Sequence, residues 1–503
     1  MSVTFFAPLV ALFVIFLVAI WKLLQRYCLS PLTAIPNASV LAPLSRLTWA
    51  FITEHHGKIT LELPELHRNF GSLVRIGPQE VSYRSLDIYK AIHMSGNKFI
   101  KDPRVYGGFV QNDHPSLFSL TDPQEHAARR RMMGQLFNRS KMPLVEGLVI
   151  DQTDKFIGLI QRHKNRVLDL IPACRALEAD VITLFGFGDT IGALDAWAKG
   201  EEVAMVTEND NKSQWMPLHT NFATIVETWY KLESILFSSI GYRSYTTQVM
   251  AEYTDWTVSQ LETILSGKRA HSEFPNFVST MLRSGLPART ALAEAKEQLG
   301  PGTDTTSATL SHILWALAHD TEFQHELHDD LEAAGWPEDL TALELIPKLK
   351  ATIKEGIRWA GAAAAMLPRI APKEGVTFDG KFIPGGTVLT SSPIWYLHDE
   401  NAFPLPHLFC PRRWLEGEDK GLSRGSLQDE YYIPFSKGAY SCMGAHFSYL
   451  ELYVGVSRIL KNFQLSLPHS PFTSSTTAVL PTRLEWVAAV PLVDMKVCFE
   501  ARE

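Results

Sequence analysis

One short stretch of the sequence, PFSKGAYSCMGAH at residues 434–446, constrains the chain more than any other. It sets Cys442 between Gly438 and Gly444, and a helical pattern follows directly. Glycine permits positive φ angles and a close approach of the backbone to a flat ligand, whereas a core cysteine needs neither. The start of the following helix would bring free N–H groups to the sulfur, which favours a thiolate. The stretch therefore predicts a thiolate presented to a planar ligand, with a buried cysteine in a glycine turn as the alternative.

The composition places the chain among large globular proteins. It has 503 residues, of which 46% are hydrophobic and 20% charged, enough apolar material for a sizeable core. The formal net charge of −7 gives no electrostatic support for nucleic-acid binding, so we expect no nucleic-acid partner. The five cysteines form no C-x-x-C pair, which argues against a zinc site or a disulfide framework and favours a reducing compartment.

The N-terminus carries a run without charge at residues 3–21. As a helix it would be roughly 28 Å long, close to the thickness of a bilayer core. Lys22 and Arg26 follow it, so the positive-inside rule leaves the rest of the chain in the cytosol. A cleaved signal peptide is the alternative, although the run lacks a basic start and a small-residue cleavage site. We predict a transmembrane anchor, a proline-rich hinge and a large globular domain, over residues 1–22, 23–48 and 49–503.

Helical patterns dominate the rest of the chain. They extend from residue 124 to about 320, and residues 288–319 form one long helical pattern interrupted by Gly-Pro-Gly at 300–302. Strand patterns are confined to short runs, at residues 72–83 and 376–391, each with a turn sequence in its middle. The patterns predict a mainly α-helical protein with a small β part.

Two further motifs carry residues suited to a buried site. In KEGIR, Glu355 and Arg358 are three residues apart and lie on one face of a helix, where they can pair. A solvated surface pair is the alternative. In GPGTDTTS, Asp304 and Thr305 stand within the long helical pattern, and a helix that opens locally can hold water against a threonine hydroxyl. The alternative is that these residues start a second helix after a break.

Together the motifs resemble those of the cytochrome P450 family. F-x-x-G-x-x-x-C-x-G, with Phe435, Gly438, Cys442 and Gly444, is similar to the haem-binding loop of that family. KEGIR, FCPRRW and GPGTDTTS are similar to three other elements of the family. The order and spacing of the motifs agree along nearly the whole chain, which is most like membrane-bound fungal members.

The resemblance implies the cytochrome P450 fold, a large helical domain with a small β-rich subdomain. Cys442 would be the axial thiolate ligand of the iron of haem b. FCPRRW would add Arg413 to Glu355 and Arg358, so that the three form a buried network with a structural role. Breaking such a network would leave a buried charge unpaired, at a cost of about 3–5 kcal/mol.

The resemblance also implies roles in proton supply and haem binding. Thr305 would relay protons to the oxygen chemistry, fed by Asp304. HAARR and MLPRIAP resemble elements that contact the haem propionates, which implies that role for His126, Arg130 and Arg369. Exposed basic side chains without a ligand are the alternative for these three.

Two positions depart from the family pattern. Tyr440 stands where the family usually has an arginine, so the propionates would depend more on the other cations, with Lys437 as a candidate substitute. Pro301 stands where alanine is typical. Proline lacks the N–H that would bond back to Glu297, so we expect a stronger kink than usual in this helix.

By resemblance the chain is a monooxygenase that uses dioxygen and reductase-supplied electrons to hydroxylate or epoxidise a small molecule. Substrate contacts would come from five stretches, residues 100–120, 206–238, 299–306, 361–366 and 470–480. The small side chains at residues 360–366 leave room, so we expect a bulky apolar substrate of fungal secondary metabolism, such as a polyketide, terpenoid or alkaloid. A small aromatic acid is the alternative substrate.

Electrons must come from a partner, because the sequence has no G-x-G-x-x-G nucleotide-binding motif. We expect an NADPH–cytochrome P450 reductase, docked on a basic patch of Arg129, Arg131, Arg412 and Lys437, with scattered solvated charges as the alternative. The chain would be a single-pass protein of the endoplasmic reticulum that faces the cytosol. The rival functions are a reductase-independent haem-thiolate isomerase or dehydratase, and a non-enzymatic haem sensor or scaffold.

Overall fold

The computed structural model describes residues 3–94, 96, 98–111, 114–163, 167–238, 243–268, 274–418, 421–468 and 476–502. The chain divides into two compact units. The smaller unit combines Met1–Asp102 with Met366–Ser392, and the larger combines Pro103–Ala365 with Pro393–Glu503. The boundaries predicted at residues 22 and 48 stay predictions.

The smaller unit holds most of the β structure. Its described helices are α1 (Val3–Leu24), α2 (Ala50–His55), α3 (Ile59–Phe70) and α4 (Leu86–His93). Its strands are β1 (Leu73–Gly77), β2 (Glu80–Tyr83), β3 (Ile100–Lys101), β5 (Arg369–Ile370), β6 (Val376–Phe378), β7 (Lys381–Ile383) and β8 (Val388–Thr390). Five of them form one sheet in the order β1-β2-β8-β5-β3, and β6 pairs with β7.

Both strand patterns predicted from the sequence lie in this unit. β1 and β2 form an antiparallel hairpin that turns at Gly77, which pairs with Glu80. β6 and β7 form a second hairpin, in which Asp379 and Gly380 take positive φ angles of 48° and 71°. Positive φ at both central residues is the requirement of a tight two-residue hairpin turn, and an Asp-Gly sequence meets it.

Within the described part of the chain, no helix is both long and apolar enough to cross a membrane, so the structure gives no support to the transmembrane anchor predicted over residues 1–22.

The larger unit is mainly helical, as predicted. Its described helices are α5 (Pro103–Tyr106), α6 (Pro123–Phe137), α7 (Glu146–Arg162), α8 (Leu170–Phe187), α9 (Ala193–Ala198), α10 (Ala204–Ser238), α11 (Tyr245–Leu265), α12 (Phe277–Arg283), α13 (Ala288–His319), α14 (Thr321–Ala333), α15 (Leu340–Leu343), α16 (Pro347–Ala360), α17 (Ile394–Leu397), α18 (Ser426–Tyr431) and α19 (Ala445–Asn462). Its strands are β4 (Val167–Asp169), β9 (Phe463–Ser466), β10 (Arg483–Glu485), β11 (Ala489–Pro491) and β12 (Lys496–Ala501), paired as β4-β12-β9 and β10-β11.

Helix α13 forms the centre of the larger unit. It runs without a break from Ala288 to His319, so the interruption predicted at residues 300–302 is wrong. Close packing explains why the helix continues through Pro301. A Cβ on Gly302 would come within 2.7 Å of the Ile182 side chain on α8, so the two helices touch at this glycine. Tertiary packing of this kind overrides the preference of a single residue.

Candidate active site

The cysteine loop closes on itself just before α19 begins. The backbone N–H of Cys442 donates to the carbonyl of Phe435 at 2.9 Å, and that of Ser441 donates to Gly438 at 3.1 Å. Gly438 has a φ of +72°, a conformation that a residue with a side chain adopts only under strain. The loop therefore needs glycine at position 438 to bring Cys442 back onto Phe435.

The thiol of Cys442 faces open space inside the protein. The residue is exposed to this space, yet the surrounding protein removes enough water from the thiol to raise its pKa. The N–H groups of Gly444 and Ala445 and the charge of Arg130 act in the opposite direction. A Cβ on Gly444 would meet no atom within 4 Å, so no other described side chain fills the space at this glycine. A thiol in this setting keeps its proton until a metal ion displaces it.

Helix α6 supplies the neighbours of the cysteine loop. Arg130 donates from Nη1 to the carbonyl of Ser441 at 2.6 Å and from Nη2 to the Ser441 hydroxyl at 3.0 Å. The rings of His126 and Tyr440 lie edge to face, with centroids 4.6 Å apart. A cavity of about 370 Å³ lies between α6 and the loop, lined by Pro123, His126, Ala127, Arg130, Arg131, Gly134, Asn138, Ala439 and Tyr440.

These contacts bring His126 and Arg130 to the loop, in a way that the motif did not indicate. Arg130 donates two hydrogen bonds to Ser441, so it fixes the loop next to the cysteine. The imidazole of His126 packs on Tyr440, the residue that departs from the family pattern. Their contact with haem propionates stays a prediction.

Arg369 lies in the smaller unit. It is buried in β5 and donates from Nη1 to the carbonyl of Pro368 at 2.9 Å. Burial, and then the charge of Arg369, holds the pKa of His93 well below its usual value. The role of Arg369 in haem binding stays a prediction.

The three residues of the predicted network lie in contact, fully buried. Arg358 donates from Nε and Nη2 to the two carboxylate oxygens of Glu355, both at 2.8 Å, and Arg413 donates from Nε at 3.1 Å. Burial alone would raise the pKa of Glu355, but the two arginines more than offset it, so the pKa is lowered. Arg358 also donates to the carbonyls of Leu397 and Pro406, which ties α16 to the chain beyond α17.

Sequence reasoning missed two further donors to Glu355. The indole N–H of Trp414 and the backbone N–H of Cys410 each donate to its carboxylate at 2.9 Å. Lys354 completes the arrangement, because its ammonium lies 3.9 Å from the centre of the Trp414 ring. The aromatic residue in FCPRRW was the available signal, since an indole placed next to a buried carboxylate donates to it.

Asp304 and Thr305 lie on α13 as predicted from the sequence, but in regular helix. The Thr305 hydroxyl donates to the carbonyl of Pro301 at 2.9 Å, one turn earlier, and both side chains are half-buried. Thr303 is buried, and its hydroxyl has no hydrogen-bond partner among the described residues. The relay role of Thr305 stays a prediction.

Two members of the predicted basic patch carry ion pairs within the chain. Arg129 pairs with the buried carboxylate of Glu294. Arg412 pairs with Glu326 and Glu418, at 2.6 Å in each case. Half of the proposed patch is therefore neutralised where it stands.

The described residues fit a haem held through a thiolate. Cys442 offers its sulfur to open space, two backbone N–H groups point at that sulfur, and glycine clears the adjacent face. Cationic side chains on α6 stand at the edge of the cavity. Haem would supply the oxygen chemistry there, with Cys442 as the ligand of its iron.

A mainly helical fold that carries such a cysteine loop defines a haem-thiolate protein. The family model of cytochrome P450 matches residues 41–484, most of the chain. The chain belongs to the cytochrome P450 family and is a haem-dependent monooxygenase.

Its relatives include several fungal enzymes. Cytochrome P450 monooxygenase macH of Penicillium terrestre is 27% identical over 82% of this chain and 81% of its own length. Cytochrome P450 monooxygenase sdnE of Sordaria araneosa is 26% identical over 91% of both chains. Pisatin demethylase of Fusarium vanettenii is 26% identical over 88% of this chain and 85% of its own.

Proposed function

We propose that this monooxygenase hydroxylates or epoxidises a bulky apolar small molecule of fungal secondary metabolism, with electrons from an NADPH–cytochrome P450 reductase. The observation that carries the substrate class is the wall at residues 361–365, where every side chain is a hydrogen atom or a methyl group. Small side chains leave volume for a large ligand, and methyl groups offer it apolar contact.

The hairpin of β10 and β11 holds this wall in place. The N–H of Ala489 donates to the carbonyl of Ala362 at 2.9 Å, and the N–H of Ala365 donates to Val487 at 3.2 Å. Between these bonds Ala363 bridges to Ala488 and remains exposed. A wall fixed by backbone bonds keeps its shape whichever ligand it meets.

The charge beside the wall disfavours a small aromatic acid. A Cβ on Gly361 would lie 3.5 Å from Nη2 of Arg483, so this cation is close to the wall. Arg483 is already paired with Glu485 at 2.7 Å, and both are buried. A substrate carboxylate would have to compete with that pair, at the cost of leaving the Glu485 charge unpaired.

The residues of the site would divide the remaining work. The backbone N–H groups of Gly444 and Ala445 would donate hydrogen bonds to the sulfur of Cys442 and so fix its orientation. The Thr305 hydroxyl donates to the carbonyl of Pro301, so its lone pairs are free of that bond and can accept a hydrogen bond from water. Bound haem would activate the dioxygen, and an apolar substrate would exclude excess water.

The relatives support a monooxygenase reaction and a fungal source. Those named above are fungal, two are named as monooxygenases and the third as a demethylase of pisatin. Family membership supports a redox partner, and the choice of an NADPH-dependent reductase is part of this proposal. A haem-thiolate isomerase or dehydratase, which needs no reductase, is the second candidate.

Two experiments test the proposal. The purified holoprotein is screened by difference spectroscopy against bulky polyketides, terpenoids and alkaloids, with benzoate as the small-acid comparison. We expect bulky ligands to bind and shift the spin state of the haem iron. Ala363→Leu should weaken this binding, because the larger side chain narrows the space for the ligand. Tight binding of benzoate alone would contradict the substrate class.

Turnover is then measured with and without reductase and NADPH on the best ligand. We expect one oxygen atom in the product and strict dependence on both additions. Product formed without reductase would favour the isomerase or dehydratase. Metabolite profiles of a strain that lacks the gene would identify the accumulating substrate.

The location of the chain stays a prediction that rests on the sequence. Its support is the charge-free run at residues 3–21, followed by Lys22 and Arg26. The test is fractionation of cells that express the full chain or a form without residues 1–22. We expect only the full chain in the endoplasmic reticulum fraction, and equal distribution of both forms would contradict this.

A further inference from the structure

A buried polar network joins three helices of the larger unit. On α13, the Thr306 hydroxyl lies 3.0 Å from that of Ser448 on α19, and it also contacts the carboxyl of Glu451. The carboxyl of Glu451 in turn contacts that of Glu178 on α8, and Oε2 of Glu178 is buried with no other hydrogen-bond partner among the described residues. Glu178 and Glu451 are 1% and 5% exposed, so both lie out of reach of bulk water. Of the four residues only Thr306 belongs to a motif that resembles the family, GPGTDTTS.

The contact between the two carboxyl groups requires a proton. Ionised carboxylates only accept hydrogen bonds, so a bond between Glu178 and Glu451 exists only if one of them is protonated. Burial, and then the neighbouring carboxyl group, raises the pKa of Glu451, and burial raises that of Glu178. The other titratable group that faces Glu178 is Cys174, whose thiol stays neutral because burial raises its pKa to about 12. Among the described residues, no basic side chain lowers the pKa of Glu178 or Glu451.

The network reaches the site through α19. The N–H of Ser448 donates to the carbonyl of Gly444 at 2.8 Å, and the N–H of Gly444 bonds to the Cys442 thiol. Thr306 directly follows Thr305 on α13. The four residues thus connect the turn of α13 that carries the predicted proton relay with the start of α19, which directly follows the cysteine loop.

We propose that Glu178 and Glu451 are positioning residues whose shared proton holds Thr306 on Ser448, and so fixes the relay turn of α13 relative to the cysteine loop. The inference rests on the family membership of the chain and on no particular substrate. Loss of the proton would leave two buried anions in contact, which repel each other, and the Glu451 anion would draw the Thr306 hydroxyl away from Ser448.

The sign of the pH effect follows from the raised pKa values. A carboxyl group with a raised pKa in the folded state stabilises that state fully below its ordinary value of about 4.3, and the contribution is lost as pH rises through the folded-state pKa. The positioning should therefore hold in acid and neutral solution and fail on the alkaline side.

Infrared spectroscopy of the resting holoprotein tests the shared proton directly. We expect the carbonyl stretch of a buried protonated carboxylic acid at neutral pH, shifted in D2O, and lost in both Glu178→Gln and Glu451→Gln. The control is Asp180→Asn on the same helix, a buried carboxylate that accepts the N–H groups of Ala193 and Leu194. It should keep the band. Absence of the band in the unmodified protein would overturn the proposal, whether or not the variants fold.

The pH profile separates positioning from simple packing. We expect the yield of product per NADPH of the unmodified protein to fall severalfold at alkaline pH, and Glu178→Gln to remove that fall, because its amide donates at every pH. An unchanged alkaline fall in Glu178→Gln would overturn the proposal. The carbon monoxide spectrum is read in the same samples, so failure of the haem site is distinguished from failure of the carboxyl pair.

Discussion

Gly438 and Gly444 flank Cys442 for different physical reasons. Gly438 has a φ of +72° and turns the loop back to Phe435. Gly444 has an ordinary φ of −80°, and a Cβ there would meet nothing within 4 Å. Gly438 is required by the backbone conformation, and Gly444 leaves open space next to the residue that would bind the haem.

This difference predicts that alanine at the two positions affects two different properties, stability and haem content. Gly438→Ala should lower the free energy of unfolding of the protein by about 1–2 kcal/mol, because alanine is strained at positive φ. Gly444→Ala should leave the free energy of unfolding of the haem-free protein unchanged but lower its haem content, because the new methyl group occupies the ligand's space. Denaturant titration and haem assay measure both. Equal effects of the two variants on stability would contradict this assignment.

Glu355 is the residue on which the buried network depends. Its carboxylate accepts hydrogen bonds from two arginines, an indole and a backbone N–H. Glu355→Gln should lower the free energy of unfolding by about 3–5 kcal/mol, since Arg358 and Arg413 would be left buried without a counter-charge. Denaturant titration measures the loss. The matched control is Glu418→Gln, a partner of Arg412 at the surface, which should cost less than about 1 kcal/mol.

The pH dependence of this contribution has a defined sign. Because the pKa of Glu355 is lowered in the folded state, its stabilisation is present above the ordinary glutamate pKa and is lost as pH falls through the folded-state value. Stability measured against pH should fall in acid for the unmodified protein and less steeply for Glu355→Gln. Parallel acid limbs in both proteins would contradict the lowered pKa.

At the residue scale, sequence alone predicted which residues meet but not how they are used. Glu355 pairs with Arg358, which helix spacing made predictable, and also with Arg413, which only the family resemblance pointed to. The donation of Arg130 to Ser441 could not be predicted, since the direction of a long side chain depends on the packing around it. The Glu178–Glu451 contact joins residues that are far apart in sequence, so no local sequence pattern predicts it.

At the element scale, α13 shows packing prevailing over local preference. Pro301 suggested an interruption, yet the helix is continuous and its Gly302 packs on Ile182 of α8. The sequence indicates that a proline inside a helix destabilises it by about 3 kcal/mol, but it does not show how much tertiary packing stabilises the helix in return. The bounds of α13, Ala288 and His319, agree with the predicted helical pattern, although its buried face mixes apolar residues with polar ones such as Glu294, Thr303 and Ser311.

Regular helix at Pro301 predicts a gain in stability on its removal. Pro301→Ala should raise the free energy of unfolding by about 1–3 kcal/mol, since alanine returns an N–H that can donate to the carbonyl of Glu297. Turnover and the site of oxidation should stay unchanged. Thermal unfolding and product analysis measure these effects, with Pro287→Ala, just before the helix begins, as the control that should bring no gain. A lost or redirected oxidation would contradict a merely structural proline.

At the scale of the whole molecule, the helical body and its small β part could be predicted, and the division of the chain could not. The smaller unit draws on two segments, Met1–Asp102 and Met366–Ser392, which are distant in sequence. Strand pairing such as that of β2 with β8 unites them, together with side-chain contacts such as the ion pair of Lys98 with Glu374. Pairing between strands so far apart leaves no trace in local composition, whereas the hairpins within each segment were visible as turn sequences.

The central claim is that Cys442 carries a haem iron as its thiolate, and the absorption spectrum of the reduced protein under carbon monoxide tests it most directly. We expect the long-wavelength Soret band for which the family is named, and its loss in Cys442→His, which should absorb at shorter wavelength if it retains haem. A short-wavelength band in the unmodified protein, or no bound haem, would contradict the claim.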